Sequence, residues 1–260
     1  MGKSVPTQNF GVVLRRLSTN LPRTQGFTLV ELVMVILLLG IMATFTSQFI
    51  GTGTQLYADA SAREQLMSDV RFGVERLNRE VRDALPGTLT VSSDGQCVSF
   101  WPLVAVSRYV DLPQATGAAF TFLTPMSGAV QSADYAVVYP VGMSSSTPFG
   151  CSAGVCVARV SGAPTLVTGE SNLWSAPLTA IPSGLFAGFA AESPGQRVFF
   201  AREKVSFCRN NLQQLIRAST VLATGSSSSE LMAESLTQAR FFQDLQSFNH
   251  NGELGINLTF

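Results

Sequence analysis

The composition of this 260-residue chain excludes several classes of protein. Hydrophobic residues make up 46% and charged residues 13%, which is too apolar for a disordered chain and too mixed for a protein that crosses a membrane many times. The 17 basic and 17 acidic residues give no net charge, and Lys204 is the one lysine beyond residue 26. We therefore expect no binding of nucleic acid through neutralised phosphates. The single histidine, His250, excludes a metal site built on a histidine pair.

The chain begins with a basic segment and continues with an apolar one. Residues 1–26 contain four basic residues and no acidic residue, and residues 32–58 contain no charge. As a helix, residues 27–50 would extend about 36 Å, which is enough to cross a hydrocarbon layer of about 30 Å. Because the basic flank comes first, the positive-inside rule predicts a cytoplasmic N terminus, with the rest of the chain on the other side of the membrane.

The helical pattern continues past the apolar segment. Apolar side chains recur at steps of three and four, which predicts an amphipathic helix. This apolar stripe consists of Leu66, Val70, Val74, Leu77, Val81 and Leu85. The charged residues between them are expected to face water, namely Arg71, Glu75, Arg76, Arg79, Glu80 and Asp83. Pro86-Gly87 ends the pattern, so we predict one helix over residues 27–85 with its weak point at Gly51 and Gly53.

Residues 86–260 contain short β-type runs separated by turn residues. The predicted strands are 98–103, 118–123, 135–140, 155–160, 198–201, 205–208 and 215–218. The last two are expected to form a hairpin, as are residues 239–248 and 254–260 across an Asn-Gly turn. Polar loops are expected at residues 144–147 and 225–229. The predicted fold class is α+β, with the second half of a long helix packed on an antiparallel β-sheet domain.

The junction of the basic and apolar segments carries a specific motif. It reads RTQGFTLVEL from Arg23 to Leu32 and resembles the class III signal of type IV pilins and type II secretion pseudopilins. The resemblance implies that a membrane aspartyl peptidase cleaves after Gly26, that the new N-terminal residue Phe27 is N-methylated, and that Glu31 acts in filament assembly. It also implies a type IV pilin-like fold.

This resemblance leads to a division of the chain into four parts. They are a prepilin leader that is removed (1–26), a transmembrane and filament-core helix (27–58), its amphipathic continuation (59–85) and a periplasmic β-rich domain (86–260). The expected location is the inner membrane, with a single pass, and then a pilus or pseudopilus. The residues contain no catalytic constellation, so we expect no enzymatic activity and no cofactor.

The residues at the C-terminal end of the predicted helix resemble particular subfamilies of these proteins. Residues 76–86, RLNREVRDALP, resemble the minor pilin-like MshO proteins of mannose-sensitive haemagglutinin pilus systems, and also the larger minor pseudopilins of type II secretion. This implies a minor subunit that takes part in initiating pilus assembly, at the tip. Its partners would be other pilins, the prepilin peptidase and the inner-membrane assembly platform. The chain differs from the family pattern at two points. Gln48 stands where many pilins have a proline, and the leader is longer than in type IVa pilins.

Three alternatives remain open at this point. The first is a minor pseudopilin of a type II secretion system, and the second is a membrane-anchored periplasmic binding module for adhesion. The third is a plain signal anchor that keeps its leader and carries a periplasmic enzyme, for which no catalytic constellation is present. A cleavable signal peptide is disfavoured because the small-residue site Ala58-Asp59-Ala60 lies far beyond the apolar run.

Glu31 needs a cation if it lies inside the membrane. A carboxylate at the centre of a span costs about 2.5–3.5 kcal/mol, and less near its end. The apolar segment contains no lysine or arginine, but cleavage after Gly26 would create the α-amino group of Phe27. In a staggered bundle, the amine of an incoming subunit would pair with Glu31 of its neighbour. A wrong stagger would bury an unpaired charge, so the pair would select the register.

Four cysteines lie in the part of the chain predicted to leave the cytoplasm, where an even count favours disulfides. Three pairings are possible. The preferred one joins Cys151 to Cys156 around a small loop and Cys97 to Cys208 across the sheet. A zinc site is the less favoured alternative. Because no calcium-loop pattern occurs, no metal site is expected, and surface exposure is the default for Glu230, Glu234, Asp244 and Glu253.

Overall fold

The computed structural model describes residues 26–113, 120–143, 150–181, 184–244 and 253–259. The chain divides into two units at Asp59 and Ala60. The described part contains one α-helix, α1 (Leu29–Arg82), which begins in the first unit and ends in the second. All described strand pairs are antiparallel. The strands are β1 (Thr90–Val91), β2 (Cys97–Phe100), β3 (Leu103–Asp111), β4 (Phe120–Leu123), β5 (Tyr135–Val138), β6 (Gly150–Cys151), β7 (Gly154–Val155), β8 (Val157–Val160), β9 (Thr165–Leu166), β10 (Leu173–Ala176), β11 (Leu178–Thr179), β12 (Arg197–Ala201), β13 (Glu203–Arg209), β14 (Leu215–Val221), β15 (Ser227–Ala233), β16 (Gln238–Asp244) and β17 (Glu253–Thr259).

The helix is continuous through Gly51 and Gly53 and ends at Arg82, before the proline that was predicted to stop it. After the helix, the backbone contacts the short connection between β2 and β3. Leu85 N donates a hydrogen bond to Trp101 O at 2.7 Å. The turn that follows requires glycine at position 87. Gly87 has φ = +82°, and a Cβ atom there would lie 2.5 Å from the carbonyl oxygen of Pro140.

The end of α1 packs on a five-stranded sheet with the order β1-β2-β13-β14-β15. Its buried side is the predicted apolar stripe: Leu77 is 1% exposed, and Val70 and Val81 are half-buried against the same core. Gly73 is buried as well, and a Cβ atom there would lie 3.5 Å from Met232 Cβ. The sheet residues of this core are Val98, Phe100, Val205, Phe207, Leu215, Met232 and Ala233.

Two successive pairs of antiparallel strands connect this sheet to an eight-stranded sheet. β2 is followed by β3, and β12 by β13, and the pairing runs from Phe100 with Val205 to Val106 with Phe199. The second sheet has the order β11-β8-β5-β12-β3-β4-β10-β9, and residues between β3 and β12 supply its other six strands. Aromatic packing dominates its core, where the Phe122 and Phe200 ring centroids lie 5.1 Å apart.

The predicted α+β fold, with a long apolar N-terminal helix followed by antiparallel sheets, is confirmed. The predicted hairpins form as β13–β14 and β16–β17, although the turn that contains His250 lies outside the described residues. The polar loop expected at 144–147 also lies outside them. The polar loop expected at 225–229 was wrong for residues 227–229, because these serines begin the edge strand β15. Polar side chains suit an exposed sheet edge.

Two disulfide bonds cross-link the second unit. One joins Cys97 to Cys208 on the paired strands β2 and β13, and the other joins Cys151 to Cys156 around the β6–β7 turn. This is the pairing preferred from the sequence. Each of the four cysteines is therefore bonded to another cysteine, and the four thiolates of the zinc alternative are not present.

Candidate processing and assembly site

The residues of the predicted site lie at the start of α1. Gly26, Phe27 and Thr28 precede the helix, which begins at Leu29. The Phe27 side chain is 79% exposed. The peptide bond between Gly26 and Phe27 therefore lies in exposed, non-helical chain, which is the conformation that a peptidase can accommodate.

Thr28 is the N-cap of α1. Its side-chain Oγ1 accepts a hydrogen bond from Glu31 N at 3.3 Å, and its carbonyl oxygen accepts one from Leu32 N at 3.2 Å. Glu31 is thus the third helical residue, and Thr28-x-x-Glu31 is the sequence signature of a capping box. A carboxylate in the first turn also interacts favourably with the positive end of the helix dipole. The pattern-based interpretation misses this cap, although its signal is present in the motif.

The first unit exposes an apolar surface on every side of the helix. All side chains from Phe27 to Ile50 are exposed, among them Leu32 at 59% and Leu39 at 62%. By length and composition, α1 is long and apolar enough to cross a membrane. Apolar surface of this extent needs lipid or another apolar partner.

Hydroxyl groups in this segment are satisfied inside the helix. Thr44 Oγ1 donates to the carbonyl oxygen of Ile41 at 2.7 Å, and Thr46 Oγ1 donates to that of Met42 at 2.8 Å. Because each hydroxyl has an acceptor one turn earlier, burial in a medium without water does not leave its donor unpaired. The apolar segment can therefore contain these polar residues and still enter lipid or a helix bundle.

A cluster of four charges fixes the end of α1 on the sheet of the second unit. Arg217 Nε lies 2.9 Å and 3.0 Å from the two carboxylate oxygens of Glu80. Arg76 Nε lies 3.0 Å from Glu80 Oε1, and its Nη1 lies 2.7 Å from Glu230 Oε2. The hydrogen bond to Glu80 raises the pKa of the Arg76 guanidinium above its usual value. Arg217 and Glu230 are opposite each other in the β14–β15 register. The cluster is neutral, because it contains two arginines and two glutamates.

Glu230 is exposed, as expected. The expectation that the helix charges face water was wrong for Arg76 and Glu80, which are half-buried. Their partners come from strands far away in the sequence, which the helical spacing alone does not reveal. Among the other acidic residues considered as metal ligands, Glu234 Oε1 accepts a hydrogen bond from Gln214 Nε2 at 3.2 Å, and Glu253 is exposed. Within the described ranges, no three metal-ligating side chains form a group.

Comparison with family models matches residues 21–47 to the prokaryotic N-terminal methylation motif. No curated protein and no solved structure matches the chain. The motif supports a prepilin of type IV pilin-like or pseudopilin type, which is a structural subunit and not an enzyme. It implies processing by prepilin peptidase and assembly with other pilins. The motif and α1 together fit a single-pass anchor in the inner membrane.

Proposed function

We propose that this chain is a minor pilin-like subunit that takes part in initiating the assembly of a type IV pilus of the mannose-sensitive haemagglutinin type. The observation that carries the proposal is the methylation motif, residues 21–47, which includes the start of an exposed apolar helix. Cleavage after Gly26 removes the basic leader and leaves Phe27 as the N-terminal residue. The resemblance of residues 76–86 supports the pilus type, and the bulk of residues 60–260 supports a minor role over a shaft role.

The charge distribution supports the orientation. Four basic and no acidic residues precede the apolar segment, so the leader stays in the cytoplasm and the β-rich part enters the periplasm. Assembly then carries the β-rich part to the filament surface or tip. The two disulfides suit this oxidising compartment.

The assembly step depends on Glu31. The cap between Thr28 and Glu31 consists of residues that remain after cleavage, so the helical frame is the same before and after processing. A favourable helix dipole contributes about 0.3–1 kcal/mol. The cost of a carboxylate in a span reaches about 2.5–3.5 kcal/mol at the centre. The dipole offsets only part of that cost, so Glu31 still needs a cation, which the Phe27 amine of an incoming subunit supplies in the correct register.

Deleting the gene and restoring it in trans tests this function. We expect fewer filaments per cell with filament length retained, because initiation depends on the minor subunit and elongation does not. The full chain should restore filament number. An unchanged filament number in the deletion strain would contradict the proposal. Normal filaments with a loss of secreted type II substrates would contradict it too, in favour of the pseudopilin alternative.

A further inference from the structure

A cavity of about 660 Å³ lies on the eight-stranded sheet, remote in sequence from the processing motif. Arg197 and Phe199 of β12 line it together with the turn after α1, the loop after β5 and the turn before β12. Apolar and ring-bearing side chains line much of it, including Tyr139, Pro140 and Pro194. Its volume lies in the range of pockets that hold small ligands.

The charge beside this cavity is unbalanced. Arg197 of β12 is directly opposite Arg108 of β3, and both are exposed. Like charges opposite each other on neighbouring strands are destabilising. Neither has an acidic partner within 4.0 Å in the described part of the chain, whereas Arg202 Nε lies 2.7 Å from the buried carboxylate of Asp134. The arginine pair therefore provides two guanidinium groups for an external anion.

The walls of the cavity are held in place before any ligand binds. Tyr109 Oη accepts a hydrogen bond from Ser193 N at 2.9 Å, and Tyr109 N donates to Gln196 O at 2.9 Å, which fixes the turn before β12. Gln196 and Tyr139 have φ values of 52° and 50°, which non-glycine residues rarely adopt. Strained backbone of this kind clusters at functional sites, and fixed walls reduce the ordering cost of binding.

Gly195 leaves space for the side chain of Arg197. A Cβ atom at Gly195 would lie 3.4 Å from Arg197 Nε and 3.6 Å from its Cγ, so the arginine stem packs against this glycine. Gly195 thereby supports the stem of Arg197, and both residues line the cavity.

The position of β12 limits the class of ligand. It is an inner strand, paired with β3 on one side and β5 on the other, so its backbone has no free edge for an extended peptide. Recognition must come from side chains, which favours a compact ligand. A pyranose ring presents a face of C–H groups that packs on aromatic rings, and a carboxylate forms bidentate pairs with guanidinium.

We propose that this cavity binds a carboxylate-bearing sugar residue of an acidic glycan. The carboxylate pairs with Arg197 and Arg108, and the sugar ring packs on Tyr139 and Phe199. This binding activity goes beyond the structural role in a filament and does not depend on assembly.

Calorimetry on the full chain in detergent micelles tests the proposal with a trisaccharide of galacturonic acid as the probe. We expect saturable binding that weakens with salt and is at least tenfold weaker for Arg197→Gln and Arg108→Gln. Arg240→Gln removes an exposed strand arginine elsewhere and should bind like the parent. The neutral galactose trisaccharide should not bind measurably.

Three results would overturn the proposal. They are equal affinity for the neutral and acidic trisaccharides, unchanged affinity in Arg197→Gln, and no binding to the folded parent chain. Inorganic phosphate that competes as well as the trisaccharide would also overturn it, because the site would then recognise the charge without the sugar. Because both arginines are exposed, we expect each variant to melt at the temperature of the parent chain. Thermal melting of each variant therefore distinguishes a loss of binding from a loss of folding.

Discussion

The apolar side chains at the two ends of α1 lie in opposite environments. Up to Asp59, every described side chain of the helix is exposed, including Leu38 at 58%. Near its C-terminal end, the same helix buries Leu77 to 1% exposure against the five-stranded sheet. The polar groups differ as well, because the hydroxyls of the first part bond within the helix and the charges of the last part bond to strands.

This difference separates assembly from stability. The first part of α1 is internally satisfied in its hydrogen bonds but has apolar surface that only other molecules can cover. The last part is a component of a folded core. Substitutions in the first part should therefore change membrane insertion and filament assembly, and substitutions in the last part should change the free energy of unfolding of the second unit.

Glu31→Val should give the largest effect, a loss of incorporation into filaments. Processing should remain largely intact, because the scissile bond and the residues around it are unchanged. Sheared pilus fractions and the mass of the membrane-bound protein measure the two outcomes separately. Gln48→Leu changes a polar residue of the same helix and is the matched control, which should assemble. Normal incorporation of Glu31→Val would refute the pairing account.

Removing the disulfides should affect the second unit unequally. The Cys97–Cys208 bond spans 111 residues, and the Cys151–Cys156 bond spans 5. On a chain-entropy basis, serine at both ends of the long bond lowers the free energy of unfolding by about 5 kcal/mol, against about 2 kcal/mol for the short one. Urea denaturation of the processed chain in detergent measures both. A larger loss of unfolding free energy on removal of the short disulfide would show that chain entropy does not determine the contribution of these disulfides.

Leucine-to-alanine changes test the contrast between the two ends of α1 directly. Leu77→Ala leaves a cavity in the core and should destabilise the second unit by about 2–5 kcal/mol. Leu38→Ala removes an exposed side chain of similar size and should leave that unfolding transition unchanged. The same urea titration followed by near-ultraviolet circular dichroism compares them. Equal destabilisation by the two variants would break the distinction.

Glu80→Gln should destabilise the second unit by about 1–3 kcal/mol, because it leaves the guanidiniums of Arg76 and Arg217 without their shared carboxylate. The exposed neighbour Glu75 is the matched control, and Glu75→Gln should change the free energy of unfolding by less than about 0.5 kcal/mol. Thermal melts of both variants supply the comparison. Similar melting temperatures for Glu80→Gln and Glu75→Gln would mean that the charge cluster around Glu80 does not stabilise the second unit.

Gly73→Ala should give the smallest effect, a gain of up to about 1 kcal/mol in the free energy of unfolding. Alanine has the higher helix propensity, and its Cβ would make ordinary contacts at 3.5 Å and 3.7 Å. Gly73→Leu should instead lose about 1–3 kcal/mol by overpacking against Met232 and Leu215. Denaturation midpoints distinguish the two. Destabilisation by alanine would show that the helix approaches the sheet more closely than these distances imply.

Local patterns were sufficient to predict the helix, its buried stripe and the two hairpins. Each depends on residues close together in the chain, such as the periodic leucines and valines that end at Leu85. The charge cluster could not be predicted, because Glu80 and Arg217 are 137 residues apart and meet only when α1 packs on β14. The eight-stranded sheet and its arginine pair likewise depend on the pairing of β3 with β12, which no local signal specifies.

The processing motif was predictable in a different sense. Gly26, Phe27 and Glu31 are recognised from their spacing, and the family model matches the same segment. The geometry adds what spacing does not supply, namely a helix that starts after the predicted scissile bond and a cap that joins Thr28 to Glu31. Phe27 and Glu31 remain predicted site residues whose roles require the cleaved, assembled protein.

We propose that proteolysis after Gly26 creates the cation that Glu31 needs, and mass analysis of the mature N terminus is the decisive experiment. In cells with an active prepilin peptidase, we expect an N-terminal peptide that begins with N-methylated Phe27. A membrane-bound chain that still carries the leader, and so begins at Met1 or Gly2, would contradict it.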